Sequence, residues 1–225
     1  TYNFYAAAPY NSNITFNKTS GMFTFSNVAW GTSTGIENDY LVDRDGATVN
    51  AATADLSKAV GFDFHHVMAK VDFMVATTIE GVTIDKLVMK GWNDDNGTFV
   101  QNATSTPGTL EHSEWSFNTS DAVGNVTVSA TPIEIVKGAA AIAYGETYIM
   151  VPQTLEALQF VVDYKIGSEP FVNQPVTLES VWGTDSHVTY TLNIGGGANP
   201  ISFTVSSVCG FDVKAPDNNV EVVEP

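Results

Sequence analysis

The histidines are the residues best suited to hold a metal ion, and the chain has four: His65, His66, His112 and His187. His112 and Glu114 are two residues apart, so on a strand they would share one face and could supply two ligands. No HExxH motif and no second histidine at ligand spacing adds a third ligand. The sequence therefore predicts no metal site, and the adjacent pair His65 and His66 is interpreted as a structural corner.

Asp185, Ser186 and His187 are the residue types of a serine-hydrolase triad, and they are consecutive in the chain. Side chains of consecutive residues point apart, whereas a triad needs three that converge. A G-x-S-x-G nucleophile elbow is also absent from the sequence. The sequence therefore predicts that the protein is not an enzyme, with no catalytic residues and no cofactor.

Two acidic loops offer the oxygen ligands that Ca²⁺ prefers. They are Asp39, Asp43 and Asp45 before Gly46, and residues 94–97 (DDNG). Neither loop has the spacing of an EF-hand, and Asn-Gly at 96–97 is typical of a hairpin turn. Calcium binding at these loops stays open, and no metal-binding residue is assigned.

Four tryptophans could form a platform on which sugar rings stack: Trp30, Trp92, Trp115 and Trp182. Tryptophans are more often buried in a core, where their large apolar area stabilises the fold. Carbohydrate binding is therefore kept only as an alternative function, in which the protein is a monomeric surface lipoprotein that binds carbohydrate.

Charge and hydropathy exclude two classes of partner. Nine basic residues oppose 25 acidic ones, for a formal net charge of −16. Nucleic-acid binding needs a basic surface that displaces counterions, so no nucleic-acid partner is expected. The sequence has no apolar run of the roughly 20 residues that a membrane helix needs, so no membrane span is predicted. Cys209, the single cysteine, has no partner for an internal disulfide.

Alternation of apolar and polar residues dominates the chain and predicts an all-β fold. Apolar residues occupy every second position from Leu158 to Ile166 and again from Val188 to Ile194. Such strands have one face in a core and one in water. The only helical pattern is a short one at residues 51–58 (AATADLSK).

The pattern in residues 60–76 changes face. Apolar residues fall on even positions at Phe62 and Phe64, and on odd positions from Val67 onward. A regular strand cannot exchange its faces, so this segment contains a bulge or crosses from one sheet to another. A polar stretch at residues 93–107 indicates a linker, which predicts two domains, residues 1–108 and 109–225.

Four segments together resemble the fimbrillin-like proteins of Bacteroidales, which include major, minor and tip subunits of surface fimbriae. They are residues 2–11 (YNFYAAAPYN), 62–73 (FDFHHVMAKVDF), 148–154 (YIMVPQT) and 189–205 (TYTLNIGGGANPISFTV). Each is a weak signal alone, but their order and spacing cover nearly the whole chain. The resemblance implies two tandem transthyretin-like β-sandwiches, export as a lipoprotein to the outer membrane, and assembly with other fimbrial subunits by strand exchange.

The chain starts abruptly at strand-like sequence, and two explanations fit. Either an upstream strand has been removed, which leaves the first sandwich incomplete, or the sequence was trimmed. An incomplete sandwich exposes an apolar groove and unpaired backbone groups that an incoming strand can fill. The candidate assembly residues are Tyr2 and Phe4 at the start and Val220 and Val222 in the tail. The predicted function is a structural or adhesive fimbrial subunit that attaches to a host or bacterial surface ligand.

Overall fold

The computed structural model describes residues 2–33, 39–43, 47–49, 60–101, 114–118, 123–196 and 200–210, and these residues form twenty β-strands and no helix. The predicted all-β fold is confirmed, and the strands build a β-sandwich. The short helical pattern at residues 51–58 lies outside the described residues.

The strands follow one another along the chain in two groups. The first ten are β1 (Tyr2–Phe4), β2 (Ala7–Ala8), β3 (Ile14–Asn17), β4 (Met22–Val28), β5 (Gly31–Thr32), β6 (Leu41–Asp43), β7 (Ala47–Val49), β8 (Phe64–His66), β9 (Ala69–Thr77) and β10 (Val82–Asn93). The second ten are β11 (Gly97–Val100), β12 (Trp115–Phe117), β13 (Val123–Ser129), β14 (Ile133–Ile135), β15 (Ile142–Ala143), β16 (Tyr148–Met150), β17 (Gln153–Ile166), β18 (Glu169–Trp182), β19 (Ser186–Ile194) and β20 (Ile201–Cys209).

Two sheets form the larger sandwich. The first, here the β17 sheet, has the order β13-β10-β17-β18, with β14 paired to β10 beside β13. The second, the β19 sheet, has the order β20-β19-β9-β16-β5, with β15 paired to β9 beside β16. All pairs are antiparallel except β9 with β19, which run parallel from Ser186 opposite Ala69 to Ile194 opposite Thr77.

The alternation seen in the sequence explains how these sheets pack. Leu158, Phe160 and Val162 of β17 are fully buried, and the residues between them are not. Val188, Tyr190 and Leu192 of β19 are buried in the same way from the facing sheet. The two inner faces share one core, since burial of alternate side chains removes apolar area from water at roughly 25 cal/mol per Å².

A smaller core lies beside the larger one. It is covered by a four-stranded sheet of order β12-β11-β4-β3 and a three-stranded sheet of order β2-β6-β8, and β1 pairs with β7 in a separate ribbon. Its buried hydrophobic residues are Phe23, Phe25, Val28, Tyr40, Val42, Val67, Met68, Phe99, Trp115, Ile149 and Val151. Rings of Phe25 and Phe99 stack at its centre with centroids 5.3 Å apart.

Strand pairing does not follow the division expected at residue 108. β9 and β10 precede that residue, yet their neighbours in the sheets are β13 to β17 and β19, which follow it. Trp115 and Ile149, from beyond residue 108, in turn help to fill the smaller core. Strands pair by matching faces and edges and not by nearness in sequence, so β9 and β10 join sheets with strands from beyond residue 108.

The change of face in residues 60–76 is a crossing between sheets. β8 pairs with β6 around the smaller core, whereas β9 pairs with β19 in the larger sandwich. Val67 and Met68 lie between these strands and are fully buried. One continuous stretch of chain therefore contributes to both cores, as one of the two interpretations of the pattern predicts.

Alkaline pH should destabilise the larger sandwich through Tyr190. Burial raises the pKa of Tyr190 to about 12, although hydrogen bonds from Ser180 and Trp182 oppose the shift. In the unfolded chain the phenol ionises near its ordinary value of 10.0. The stabilisation is therefore complete below pH 10 and is lost as the pH rises towards 12, by about 3 kcal/mol in total.

Denaturant unfolding at a series of alkaline pH values measures this loss. Tyr190→Phe cannot ionise, so its stability should fall less steeply between pH 10 and 12 than that of the unmodified protein. An identical pH dependence in the two proteins would contradict the prediction.

Candidate interaction surfaces

The residues resembling a catalytic triad do not converge. Ser186 is fully buried and its hydroxyl donates a hydrogen bond to the carbonyl oxygen of Gly183 at 2.7 Å. His187 lies on the opposite face of β19, where its Nε2 is 2.5 Å from Oδ2 of Asp72. His187 therefore cannot serve as the base that would activate the Ser186 hydroxyl.

The adjacent histidines occupy the predicted structural corner. His65 Nδ1 is 3.3 Å from Oδ2 of Asp185, and His66 Nδ1 is 2.7 Å from Oδ1 of Asp39. Both histidines belong to β8, where the chain is about to cross to the larger sandwich. Within the described residues, no group of three or more His, Cys, Asp or Glu side chains could hold a metal ion. His112, the other candidate ligand beside Glu114, lies outside them.

The acidic turn at residues 94–97 is held by its own hydrogen bonds. Asp94 accepts a hydrogen bond from Nε1 of Trp30, and Asp95 accepts one from the backbone of Asn96 at 2.9 Å. This turn joins β10 to β11, but the two strands lie in different sheets and Gly97 begins β11 without a positive φ, so the prediction of a hairpin turn here is wrong. In the other acidic loop Asp43 is buried, and Asp45 and Gly46 lie outside the described residues.

The tryptophans lie in the cores and form no exposed platform. Trp92 and Trp182 are buried in the larger sandwich, and Trp115 is buried in the smaller core. Trp30 is partly buried and packs edge-on against Trp92 with ring centroids 5.5 Å apart. Stacking of sugars on these rings would require the cores to open.

Exposed aromatic side chains concentrate around the smaller core. Phe16 is 38% exposed and contacts Tyr5, which is 39% exposed, with ring centroids 5.2 Å apart. Phe62 and Phe64 form a second exposed pair with centroids 6.2 Å apart. Sequence reasoning missed these residues as a surface, because alternation identifies a strand but not which face meets water.

The predicted assembly residues at the start of the chain are exposed on a separate ribbon of two strands. Tyr2 and Phe4 belong to β1, opposite Val49 and Ala47 of β7, and are 60% and 38% exposed. Val220 and Val222, the candidates in the tail, lie outside the described residues.

Open edges accompany the exposed aromatics. In the part of the chain that the structure describes, β3 pairs only with β4, so its other edge has no neighbouring strand. Three of its four residues are exposed, among them Phe16. An exposed strand edge with aromatic side chains is the kind of surface to which another strand can add. None of the described residues forms a helix long and apolar enough to cross a bilayer.

One solved structure shares this fold, and two others align with this chain less closely. A fimbrial protein from Bacteroides vulgatus aligns with 17% identity and a TM-score of 0.64, over 90% of this chain and 75% of that one. A candidate cell adhesion protein from Bacteroides uniformis aligns with 13% identity and a TM-score of 0.47, over 89% and 70%. Another from Bacteroides ovatus aligns with 15% identity and a TM-score of 0.44, over 85% and 69%.

Sequence comparison gives a complementary result. No curated protein matches the chain. The family model for fimbrillin-like proteins matches residues 1–207, which include every segment that carries the resemblance. The prediction of this family from short motifs is thus confirmed: the chain belongs to the fimbrillin-like family.

Proposed function

We propose that this protein is a structural and adhesive subunit of a bacterial surface fimbria, located at the cell surface and without enzymatic activity. Membership of the fimbrillin-like family supports the fimbrial role and the location. The observation that carries the proposal is that the reactive side chains are engaged in the fold, while strand edges and aromatic rings remain accessible at the surface. The candidate catalytic side chains make structural contacts, whereas strand edges and aromatic rings are exposed.

Subunits join by addition of a β-strand to the open edge of β3. The incoming strand would satisfy the unpaired backbone groups of β3 and place alternate side chains against its aromatic surface. Phe16 lies at the centre of that surface, between Tyr5 and Phe23, whose ring centroids are 5.2 and 4.8 Å away. Because Phe23 is buried, a strand seated on Phe16 would extend the smaller core outward.

The tail of a neighbouring copy is the proposed donor strand. Val220 and Val222 alternate with Glu221, so a strand formed here would present both valines on one face. Tyr2 and Phe4 likewise alternate in β1, and we assign them to packing against the neighbouring subunit. Other fimbrial subunits are therefore the expected partners, with the outer membrane as the site of attachment.

The chain is proposed to have two units, with a division that differs from residue 108. The smaller unit contains β1 to β4, β6 to β8, β11 and β12, and the larger contains β5, β9, β10 and β13 to β20. The smaller unit buries fewer residues and exposes more aromatic area, so it is the unit that gains most from an added strand. We assign the transthyretin-like topology to these units as part of the same proposal.

Adding a peptide of residues 217–225 (DNNVEVVEP) should raise the melting temperature of the protein. A ligand that binds only the folded state at 100 times its dissociation constant stabilises it by about 2.7 kcal/mol. For a chain of this size that corresponds to a rise of roughly 5–11 °C. Differential scanning fluorimetry with increasing peptide measures the rise.

Two controls make this test specific. The same peptide with both Val220 and Val222 replaced by serine should give no rise, because its alternate side chains cannot fill an apolar surface. Phe16→Ser should reduce the rise, whereas Tyr10→Ser should not, since Tyr10 is 100% exposed. No rise with the valine peptide, or an equal rise with the serine peptide, would exclude strand addition by this tail.

The alternative, a monomeric carbohydrate-binding lipoprotein, was based on the tryptophans. Their burial removes the basis for that function, and no other observation favours a protein that stays monomeric. Strictly monomeric sedimentation at all concentrations would nevertheless argue against fibre assembly.

A further inference from the structure

A shallow depression of about 250 Å³ lies on the outer face of the β17 sheet. Leu87 and Met89 of β10 are buried in the core, so the alternating residues Lys86, Val88 and Lys90 face outward and line the depression. Strands β13 and β17 flank β10 on either side. With Asn173 of β18 at its rim, the depression is built on four paired strands and not on loops.

Two apolar side chains lie side by side in the otherwise polar lining of the depression. Val88 of β10 is directly opposite Val161 of β17, and both line the depression. On the other side of β10, Thr127 is opposite Val88 and Asn125 is opposite Lys90. The two valines offer apolar carbon, and Thr127 and Asn125 offer a hydroxyl and an amide group beside it. This arrangement suits a ring that has C–H groups on its face and hydroxyls at its edge.

Two lysines flank these valines, and neither forms an ion pair with a described residue. Among the described residues, neither Lys86 nor Lys90 has an ion pair or a side-chain hydrogen bond. By contrast, Lys165 on the same face is 2.9 Å from Oδ2 of Asp85. Unpaired lysines around one depression are notable in a chain with 25 acidic residues and only nine basic ones.

The depression has chemically different ends. Asp163 is opposite Lys86, and its Oδ1 accepts a hydrogen bond at 2.6 Å from the backbone nitrogen of Asn173. Asn173 adopts a left-handed backbone with φ of 51°, uncommon for a residue other than glycine, beside a register shift in the pairing of β17 with β18. This contact fixes Asn173 at the rim. The end at Lys90, bordered by Asn125, has no such carboxylate in its lining.

We propose that this depression binds an acidic saccharide, a sugar ring that carries a carboxylate or a sulfate. The anionic group binds at Lys90, the ring lies over Val88 and Val161, and hydroxyls bond to Asp163 and Asn173. A volume of about 250 Å³ fits a single ring better than a longer ligand. The inference names the ligand class for the proposed adhesive role and rests on that role, but it uses a different sheet from the β3 edge.

Titration with three related sugars tests the site: lactose, sialyllactose and sulfated lactose, measured by calorimetry near physiological salt. At that ionic strength the Debye length is about 8 Å, so distant carboxylates are screened while a direct contact is not. The acidic sugars should bind and lactose should bind at least about tenfold more weakly, because it lacks the charge-assisted bond. Sialyllactose alone identifies a carboxylate ligand, and sulfated lactose alone identifies a sulfate.

Matched lysine variants distinguish the site from general electrostatics. Lys90→Gln should weaken binding of the acidic sugar roughly tenfold or more. Lys165→Gln removes the same charge from the same face and should leave affinity within about twofold, because Lys165 contacts Asp85 and lies outside the lining. Equal losses in both variants, equal binding of lactose, or no binding of either acidic sugar would overturn the proposal.

The peptide experiment separates this inference from fibre assembly. Lys90→Gln should show the same rise in melting temperature with residues 217–225 as the unmodified protein, since β3 is in another sheet. A normal rise together with absent sugar binding would reject the saccharide site and leave strand addition intact. Sugar binding without any rise would reject strand addition by the tail and support the saccharide site.

Discussion

Replacing Phe160 by alanine should lower the free energy of unfolding by about 3–5 kcal/mol, the loss typical of a large aromatic residue removed from a core. Phe160 is fully buried on β17, and its ring lies 4.4 Å from that of Phe203, 5.1 Å from that of Tyr190 and 6.1 Å from that of Phe73. Its three neighbours all belong to the facing sheet. The substitution therefore leaves a cavity where the two sheets meet.

Denaturant unfolding measures this loss. The free energy of unfolding should fall with denaturant concentration at the same slope in the variant and in the unmodified protein. Val172→Ala is the control, because Val172 is 60% exposed on the adjacent strand β18 and its truncation leaves no cavity. Since domains are stable by only about 5–15 kcal/mol, Phe160→Ala should also reduce the yield of folded protein. Similar losses in the two variants would show that the two sheets do not share a close-packed core.

Gly124→Ala should strongly destabilise the larger sandwich. An added Cβ would lie far inside 3.0 Å of the indole ring of Trp92. That ring cannot move aside easily, because it is buried between Trp30 and Trp182, whose centroids are 5.5 and 6.3 Å away. Overpacking of a core typically costs about 1–3 kcal/mol, and a rigid neighbour places this substitution at the upper end.

Gly61→Ala supplies the comparison, since an added Cβ there would meet nothing within 4 Å. The melting temperature of Gly124→Ala should fall by several degrees, about 2–4 °C for each kcal/mol lost, while that of Gly61→Ala should not. Near-ultraviolet circular dichroism would report the displaced tryptophans. An unchanged tryptophan signal in a destabilised Gly124→Ala protein would refute this mechanism.

Strand positions were predictable from the sequence where one face of the strand is buried and the other is exposed to solvent. β17 and β19 show this pattern, and every second residue from Leu158 to Tyr164 and from Val188 to Ile194 is buried as expected. The change of face in residues 60–76 was equally predictable, because side chains of a regular strand alternate strictly between its two faces. The sequence could not decide between a bulge and a crossing.

Strand partners were not predictable in the same way. Alternation shows which face of a strand is buried but says nothing of the strand beside it. β9 pairs in parallel with β19, and Ser186 there lies opposite Ala69. A polar stretch between two such strands looks like a domain boundary in the sequence, which is why the division at residue 108 does not follow the sheets.

The candidate surfaces could be identified only when the pairing of the strands was known. Lys86 and Lys90 are visibly on one face of a strand, but the depression also needs Asn125 and Asn173 from strands far along the chain. The exposed ring of Phe16 became a candidate only when β3 proved to have an open edge. The family, by contrast, was recognised from the order of short motifs, which requires no knowledge of pairing.

The position of β9 limits when the β19 sheet can be completed during folding. Both of its edges are occupied by strands that the chain supplies much later, β19 on one side and β15 and β16 on the other. A chain that emerges from its amino end leaves the β19 edge of β9 unpaired until residue 194 is free. Contacts between such distant segments slow folding. The β19 sheet is thus completed after the β17 sheet, whose strands all precede residue 183.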